Sequence, residues 1–255
     1  MKVFFSTYKV VLWNLVSKNL KAKYAGSFLG MLWAFINPLL LALIISFIFT
    51  NIFKMAVRDF YLFVLSGMLP WTFLSGSLQE ASLCIPANAA LLKQFALPRM
   101  IIPLSVVLAN FILFLFALLA VMPLFVVAYP GVLFMLPLLM VALVALFLFT
   151  LGLSLSLSAL CVNSRDITHV LNTLLTFWLW LTPVFYSVDI IPKEYRTLLD
   201  ANPFQPFLAL FRAALLRGSS WNFLELLLGA ALCSFVLLTG NYLFSLNENK
   251  FLQRI

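Results

Sequence analysis

The stretch LNTLLTFWLWLTPVFYSVDIIPKEYRTLLDANPFQP, residues 171–206, decides how this chain is arranged. Its first part is apolar, rich in aromatic residues and free of charge, and it is interrupted at Thr182 and Pro183. A short polar patch follows, and then a second segment that contains further prolines. Because a proline inside a helix removes a backbone hydrogen bond and kinks or ends the helix, this stretch predicts a membrane-spanning helix that leads into a segment turning back toward the membrane.

The composition of the whole chain indicates an integral membrane protein. Of its 255 residues, 64% are hydrophobic and only 9% are charged, whereas a soluble domain carries roughly 25% charged residues. The chain has room for about six spans of ~20 residues joined by short loops. The net charge of +8 fits lysines and arginines that concentrate on the cytoplasmic side of a membrane. These residues form no single patch, so no nucleic-acid partner is expected.

The predicted spans are bounded by charged residues, because a charge near the bilayer centre costs about 3 kcal/mol or more. The charge-free run of residues 101–163 is too long for one span and divides at the turn signal of Tyr129, Pro130 and Gly131. The sequence therefore predicts an all-α integral membrane protein, a single membrane domain with six transmembrane helices at residues 24–53, 60–79, 101–128, 132–160, 170–186 and 221–246. In the fourth span, small residues form a face suited to close helix packing: Gly152, Ser154, Ser156 and Ser158.

Two segments outside the spans predict elements on the cytoplasmic side. Residues 1–23 carry five lysines and no acidic residue among apolar side chains, which predicts an amphipathic interfacial helix lying along the membrane surface. The alternative is a basic flank that only orients the first span. Residues 88–97 predict a short helix with an apolar face, and we interpret it as a docking element; an ordinary connector is the alternative.

Residues 187–220 form the longest polar loop and predict two half-helices, 190–199 and 207–216, that re-enter the membrane from the outside. Irregular backbone at such a depth is tolerated only where it is buried in protein or lines a cavity. The alternative is a pair of surface helices on the outer leaflet. Six spans place both termini on one side, and the count of Lys and Arg, ten on that side and six on the other, indicates that both termini are cytoplasmic.

The sequence offers no catalytic or metal chemistry of its own. It contains no GxxxxGK[ST] motif, so ATP hydrolysis by a P-loop is not expected in this chain. Three cysteines without CxxC spacing are typical of apolar filling residues, and a single histidine, His169, cannot form a histidine-based metal cluster. The span interiors lack the ionisable residues that ion-coupled carriers use. Uphill transport would therefore draw its energy from a partner protein.

Aromatic residues in and beside the spans are candidates for lining the path of a polymer. The apolar face of an aromatic ring can stack on a sugar ring without demanding one register. Core packing is the alternative interpretation for each of them. The candidates are Trp33, Phe35, Phe177, Trp178, Trp180, Phe185 and Tyr186.

Several stretches, in the right order along the chain, resemble those of the ABC type-2 permeases that export polysaccharides. YAGSFLGMLWAFINPLLLALIISFIF at residues 24–49 is similar to the first span of that family. SGMLPWTFLSGSLQEA at 66–81 and NAALLKQFALPRMIIP at 88–103 resemble its second span and its cytoplasmic coupling region. NSRDITHVLNTLLTFWLWLTPVFY at 163–186 and IIPKEYRTLLDANPFQPF at 190–207 look like its fifth span and its outer re-entrant segment.

The resemblance implies the membrane-spanning half of an ATP-driven exporter of lipid-linked O-antigen or capsular polysaccharide in a bacterial inner membrane. It also implies a homodimer that contacts membrane lipids and two separate ATP-binding subunits, which hold ATP and Mg, while this chain holds no cofactor. An exporter of teichoic acid or of a small hydrophobic compound, and a non-transporting protein that handles lipid-linked sugars, stay open as alternatives. Coupling to the ATPase is expected at Lys18, Lys21, Lys23, Leu91, Leu92, Lys93, Phe95, Arg165 and Asp166. An outer gate is expected at Pro183, Asn202, Pro203 and Pro206.

Overall fold

The structure, a computed structural model, describes residues 2–54, 59–95, 97–162, 166–216 and 222–254. In this part of the chain every regular element is helical and no strand occurs. Within the same residues, five segments are long and apolar enough to cross a membrane: Gly30–Ile52, Phe60–Ala87, Ile101–Ala128, Pro130–Cys161 and Phe223–Glu248. The prediction of an all-helical, multi-pass membrane protein is confirmed at this level.

The helices are named in chain order. They are α1 Lys2–Tyr24, α2 Trp33–Phe47, α3 Phe60–Ala87, α4 Ala89–Gln94, α5 Ile101–Ala128, α6 Leu136–Cys161, α7 Asp166–Leu181, α8 Lys193–Asp200, α9 Gln205–Leu215 and α10 Phe223–Arg254. A 3₁₀ turn precedes α2 at Gly30–Leu32 and a π-helical turn, Ile48–Ile52, extends it. Further 3₁₀ turns are Pro130–Met135, which leads into α6, and Val188–Ile190.

The first membrane-spanning segment begins at Gly30, whereas the charge gap in the sequence begins at Tyr24. α1 continues to Tyr24, and a turn then separates it from α2. Gly26 and Gly30 have φ angles of 77° and 51° in this turn. Only glycine adopts such angles without steric cost, so these two residues set the boundary between α1 and the apolar segment that begins at Gly30.

α3 lies at the centre of the bundle, where α2, α5, α6 and α9 pack against it and most of its side chains are buried. It runs to Ala87, beyond Gln79, where the sequence placed the end of the second span. The charged residue that follows, Glu80, lies inside the helix, and its carboxylate is paired with Lys23 of α1 at 2.7 Å. The Glu80 side chain is 39% exposed, so the pair lies where α3 meets solvent at the edge of the bundle.

α7 differs from the predicted fifth span of residues 170–186 at both ends. It begins at Asp166 and ends at Leu181, just before Thr182 and Pro183. The residue before a proline disfavours the helical region, which accounts for the early end. With 16 residues, α7 is ~24 Å long at 1.5 Å per residue. It is therefore shorter than the five spanning segments.

α6 and α10 form the closest helix pair at Gly152 and Gly240. A Cβ at Gly152 would lie 2.6 Å from the carbonyl oxygen of Val236, and a Cβ at Gly240 would overlap the carbonyl oxygen of Gly152. The two backbones therefore touch directly. Residue 221, the predicted start of the sixth span, lies outside the described residues, and α10 is helical from Phe223 to Arg254.

Candidate functional site

The predicted functional residues fall at two opposite ends of α3. Near its start, Gly67 contacts Leu208 of α9 and Val184, which follows α7. Near its end, Cys84 belongs to a buried cluster that includes Leu92 of α4. The two positions are 17 residues apart, which is ~25 Å along an α-helix. We refer to these two regions as the α9 end and the α4 end.

At the α9 end, Asn202 joins the end of α7 to the start of α9. Its side-chain oxygen accepts hydrogen bonds from the Trp178 indole at 2.7 Å and from the backbone N–H of Phe204 at 3.0 Å. Its side-chain amide donates to the Thr182 hydroxyl at 2.8 Å. The bond to its own backbone two residues on is the turn-forming contact that asparagine favours. The predicted gate residue Asn202 is therefore buried with its side-chain oxygen and amide both engaged.

Arg212 holds the same junction from within α9. Its side chain is only 8% exposed, and its guanidinium donates to the carbonyl oxygens of Pro183 at 2.5 Å and Val184 at 3.3 Å. The guanidinium carbon also lies 3.8 Å from the centre of the Phe63 ring of α3, a cation–π contact. Arg212 thus supplies donors to the backbone where the chain leaves α7, a role that was not predicted from the sequence. The sequence carried a sign of this role, because Arg212 is the one charged residue in the apolar stretch of residues 207–216.

The predicted gate prolines occupy different positions. Pro183 is buried beside Arg212, and Pro206 is buried near the start of α9, close to Gly229 of α10. Proline is favoured there because the first turn of a helix has no use for its missing N–H. Pro203 is exposed on the surface. The structure therefore brings Pro183 and Asn202 together around Thr182 and leaves Pro203 at the rim.

The candidate aromatic residues of α7 divide into exposed and packed rings. Phe177 and Trp180 are 64% and 61% exposed. Trp178 is half-buried, with its ring edge-on to Trp71 at 5.5 Å and to Phe204 at 6.5 Å. Trp178 is therefore an element of the α9 junction, whereas Phe177 and Trp180 are available to a neighbouring molecule.

The other aromatic candidates stay apart from that exposed pair or pack beneath it. Phe185 is buried, 5.6 Å from Trp180, and the Tyr186 hydroxyl donates to the Trp180 carbonyl oxygen at 2.8 Å. Trp33 is partly exposed at the start of α2, and Phe35 packs against the main core. The seven residues therefore do not form one continuous wall in a single copy of the chain.

At the α4 end, one side of the short helix α4 is seated and the other is open. Leu92 is buried in a cluster with residues of α3, α5, α6 and α10, and Leu91 is half-buried. Lys93 and Phe95 are exposed. The predicted docking element is therefore a short helix that is anchored to the bundle through Leu92 and carries an exposed cation, Lys93, with an exposed aromatic ring, Phe95, directly after it.

Two lysines of α1 are engaged within the chain. Lys18 donates to the Asn88 side chain at 3.0 Å, at the start of α4. Lys23 bonds Glu80 and Asn110, whose amide in turn donates to Glu80 at 3.0 Å, so the three side chains form a closed triad. The structure thus ties α1 to α3, α4 and α5. Asn110, a lone amide in a charge-free run, was the signal in the sequence for this triad.

A cavity of 190 Å³ adjoins this triad, and Lys23, Tyr24, Thr72 and Asn110 supply its polar lining. Burial, and secondly the negative charge of Glu80, raise the pKa of the Tyr24 phenol above its usual value. Tyr24 therefore stays neutral and can donate or accept a hydrogen bond at physiological pH.

The remaining coupling candidates are less connected. Lys21 is exposed on α1, and Asp166 is exposed at the first residue of α7. Arg165 lies outside the described residues. Within the described residues, no group of three or more His, Cys, Asp or Glu side chains is arranged to hold a metal ion.

Comparison with known proteins places this arrangement in a family. Residues 10–216 match the family described as ABC-2 type transporter. The chain is 34% identical over 208 residues to the O-antigen export system permease protein RfbA of Myxococcus xanthus, a match that covers 81% of this chain and 80% of that protein. It is 29% identical over 210 residues to the protein of the same name from Klebsiella pneumoniae, with 80% of each chain covered. The multi-pass helical chain described above therefore belongs to the ABC-2 type transporter family.

Proposed function

We propose that this chain is the membrane-spanning permease subunit of an ATP-driven exporter, which moves lipid-linked polysaccharide of the O-antigen or capsule class out of the cytoplasm. The observation that carries the proposal is the 34% identity to an O-antigen export permease over 81% of the chain. The membership of the ABC-2 family and the five apolar segments support a transport role. The membrane is the inner membrane of a bacterium.

The energy comes from two copies of a separate ATP-binding subunit, which bind ATP and Mg. The sequence of this chain has no P-loop motif. α4 is the surface on which the ATP-binding subunit docks, because Leu92 anchors it from below while Lys93 and Phe95 face outward. Lys18 extends this surface to α1 through its bond to Asn88.

The orientation has the α4 end in the cytoplasm and the α9 end outside. Together with the five apolar segments, α7 and the residues up to Tyr186 make six spans, and this one is the fifth in chain order. It is short because its end is packed against protein instead of lipid. An even number of spans puts both termini in the cytoplasm, in agreement with ten Lys and Arg inside and six outside. α9 is a re-entrant half-helix, a reading supported by the burial of nearly all its side chains among α3, α6 and α10.

Two copies of the chain form the conduit between them. α2 supports this reading because only Pro38 and Ala42 are buried among its residues, so its apolar faces are left for lipid and for a second copy. The side chains of Phe177 and Trp180 project from α7 and are mostly exposed. In a dimer they face the path of the glycan, where aromatic faces bind sugar rings.

The test is reconstitution of the chain in proteoliposomes together with the ATP-binding subunit encoded beside it. A lipid-linked glycan loaded on the ATP-accessible side should become accessible to a glycan-cleaving enzyme on the other side when ATP is added. A hydrolysis-deficient ATP-binding subunit is the control and should abolish movement. Movement of hydrophobic drugs without movement of the glycan would contradict the proposed cargo.

A further inference from the structure

α10 contacts both functional ends of the molecule. It is a continuous helix of 32 residues, Phe223–Arg254, which corresponds to ~48 Å at 1.5 Å per residue. The sequence of this helix contains no proline. The match to the ABC-2 family covers residues 10–216 and does not include α10.

At the α9 end, α10 is in contact with the start of α9. A Cβ at Gly229 would lie 3.8 Å from Pro206 and 3.9 Å from the ring of Phe207. These distances are ordinary van der Waals contact, so the backbone of α10 lies directly against the half-helix. A sideways shift of α10 at Gly229 would therefore press on α9 or release it.

In the middle, α10 is pinned to α6. The contact of Gly240 with Gly152 has no side chain between the two backbones, and Val236 extends it by one turn. Helices in such contact have little freedom to slide apart, because any separation opens a void. This crossing is the natural fulcrum of α10.

At the α4 end, α10 forms the seat of α4. Phe251 is only 1% exposed, and its ring lies edge-on to Phe244 at 5.3 Å. Both rings belong to the buried cluster that contains Leu92. Arg99, which follows α4, donates a hydrogen bond to the backbone carbonyl of Glu248. Apolar packing and a hydrogen bond to the backbone thus hold α4 and its following loop on the same stretch of α10.

The two outer contacts are equally far from the fulcrum. Gly229 and Phe251 are each 11 residues from Gly240, about 16 Å along the helix. We propose that α10 is a lever on the Gly152–Gly240 crossing and that Phe251 is the positioning residue through which a displacement of α4 reaches Pro206 and Phe207. This rests on the proposed function, in which α4 receives the ATP-binding subunit and α9 borders the outer opening.

The experiment places a reporter just before α9, the helix that the outer end of α10 contacts. A Pro203→Cys variant carries a spin label at this exposed position, with the three native cysteines, all buried, left in place. The full permease complex with its ATP-binding subunit is measured in proteoliposomes with and without ATP and vanadate. The wild-type background should show a nucleotide-dependent change in the spectrum of the label.

Phe251→Ala should reduce that spectral change at least twofold and lower glycan export per ATP hydrolysed, while the ATP-binding subunit still co-purifies. Phe251→Leu should restore most of both, because it refills the cluster. Tyr242→Ala is the matched control, since Tyr242 is an aromatic residue of the same helix that is exposed, and it should behave as the wild type. An unchanged spectral response in Phe251→Ala would overturn the proposal.

A second variant tests the stiffness of the lever without touching its contacts. Leu246 is exposed and lies between Gly240 and Phe251. Leu246→Pro should kink the helix and cut the response at position 203 as strongly as Phe251→Ala, whereas Leu246→Ala should not. A full response in Leu246→Pro would overturn the lever. Failure of the proposed function would appear differently, as a wild-type chain that neither retains an ATP-binding subunit nor moves glycan.

Discussion

The two short helices α9 and α4 show how short helices with apolar residues come to be buried to different extents. α9 has 11 residues, and every one from Pro206 to Leu215 except Ala209 is buried. α4 has six residues, of which Leu92 alone is buried among the described ones. Both are too short to cross a membrane, which needs about 20 apolar residues. Their surroundings, more than their lengths, separate them.

This difference in burial predicts whether substitutions in each helix should affect folding stability or coupling to a partner. α9 is enclosed by α3, α6 and α10, and the polar groups at its junction with α7 are bonded to Arg212 and Asn202. α4 has one seated side and one free side. Substitutions in α9 should therefore cost folding stability, and substitutions on the free side of α4 should cost only coupling to a partner.

The largest effect should come from the support that both regions share. Gly240→Val would drive a side chain into the backbone of Gly152, and overpacking of this kind costs on the order of 3 kcal/mol or more when backbone cannot yield. We expect almost no monodisperse protein in detergent, because both the α9 end and the α4 end would lose their support from α10. Gly131→Ala is the control, because a Cβ at Gly131 would meet open space. Equal yields of the two variants would contradict the tight α6–α10 crossing.

The next effect compares a cation at each end. Arg212→Met removes the donors to the Pro183 and Val184 carbonyl oxygens, and leaving buried acceptors without a partner costs about 1–3 kcal/mol. Lys93→Met on exposed α4 should change the free energy of unfolding by less than ~0.5 kcal/mol. Both are measured by denaturant titration in mixed micelles. A Lys93 variant as unstable as the Arg212 variant would break the comparison.

Much of the fold was accessible from the sequence because it depends on local hydropathy. Charge-free runs overlap the five segments that are long and apolar enough to cross a membrane. The interruption expected at Thr182 and Pro183 directly follows the end of α7, although the predicted fifth span ran on to residue 186. The end of α3 was not accessible, since the charged residue Glu80 lies inside the helix and pairs with Lys23, 57 positions earlier in the sequence. The start of the first span also depended on backbone angles at Gly26 and Gly30 that no hydropathy pattern records.

The functional regions were less accessible, because contacts between distant residues build them. Residues 202–206 lie between the two half-helices predicted from the sequence, and no local pattern showed that Trp178, a candidate for lining the path, donates a hydrogen bond to Asn202. The cluster that joins Leu92 to Phe251 links residues 159 positions apart. A proline or an apolar run indicates the end or the extent of a helix from the local sequence alone. A contact between residues so far apart in the sequence leaves no periodic pattern.

A smaller effect separates the two sides of α4. Leu92→Ser removes an apolar side chain from the buried cluster and should lower the free energy of unfolding by about 2 kcal/mol, the lower end of the range for truncating a core leucine. Phe95→Ser should leave stability unchanged, since Phe95 is 56% exposed, and should reduce ATP hydrolysis stimulated by the permease. If Phe95→Ser keeps full stimulation in the reconstituted complex, the free side of α4 is not the docking surface.

The smallest effect distinguishes neighbouring tryptophans of α7. Trp178→Phe keeps an aromatic ring against Trp71 but loses the hydrogen bond to Asn202, so it should lower the free energy of unfolding by about 1 kcal/mol. Trp180→Phe removes no described side-chain hydrogen bond and keeps an exposed ring, so stability should stay at the wild-type value. Trp180→Ala should reduce glycan export without loss of protein, because the ring removed is mostly exposed and its one described ring contact is with Phe185. A loss of stability in Trp180→Ala as large as that in Trp178→Phe would mean that both rings serve packing, and the exposed face of α7 would then have no claim to the glycan path.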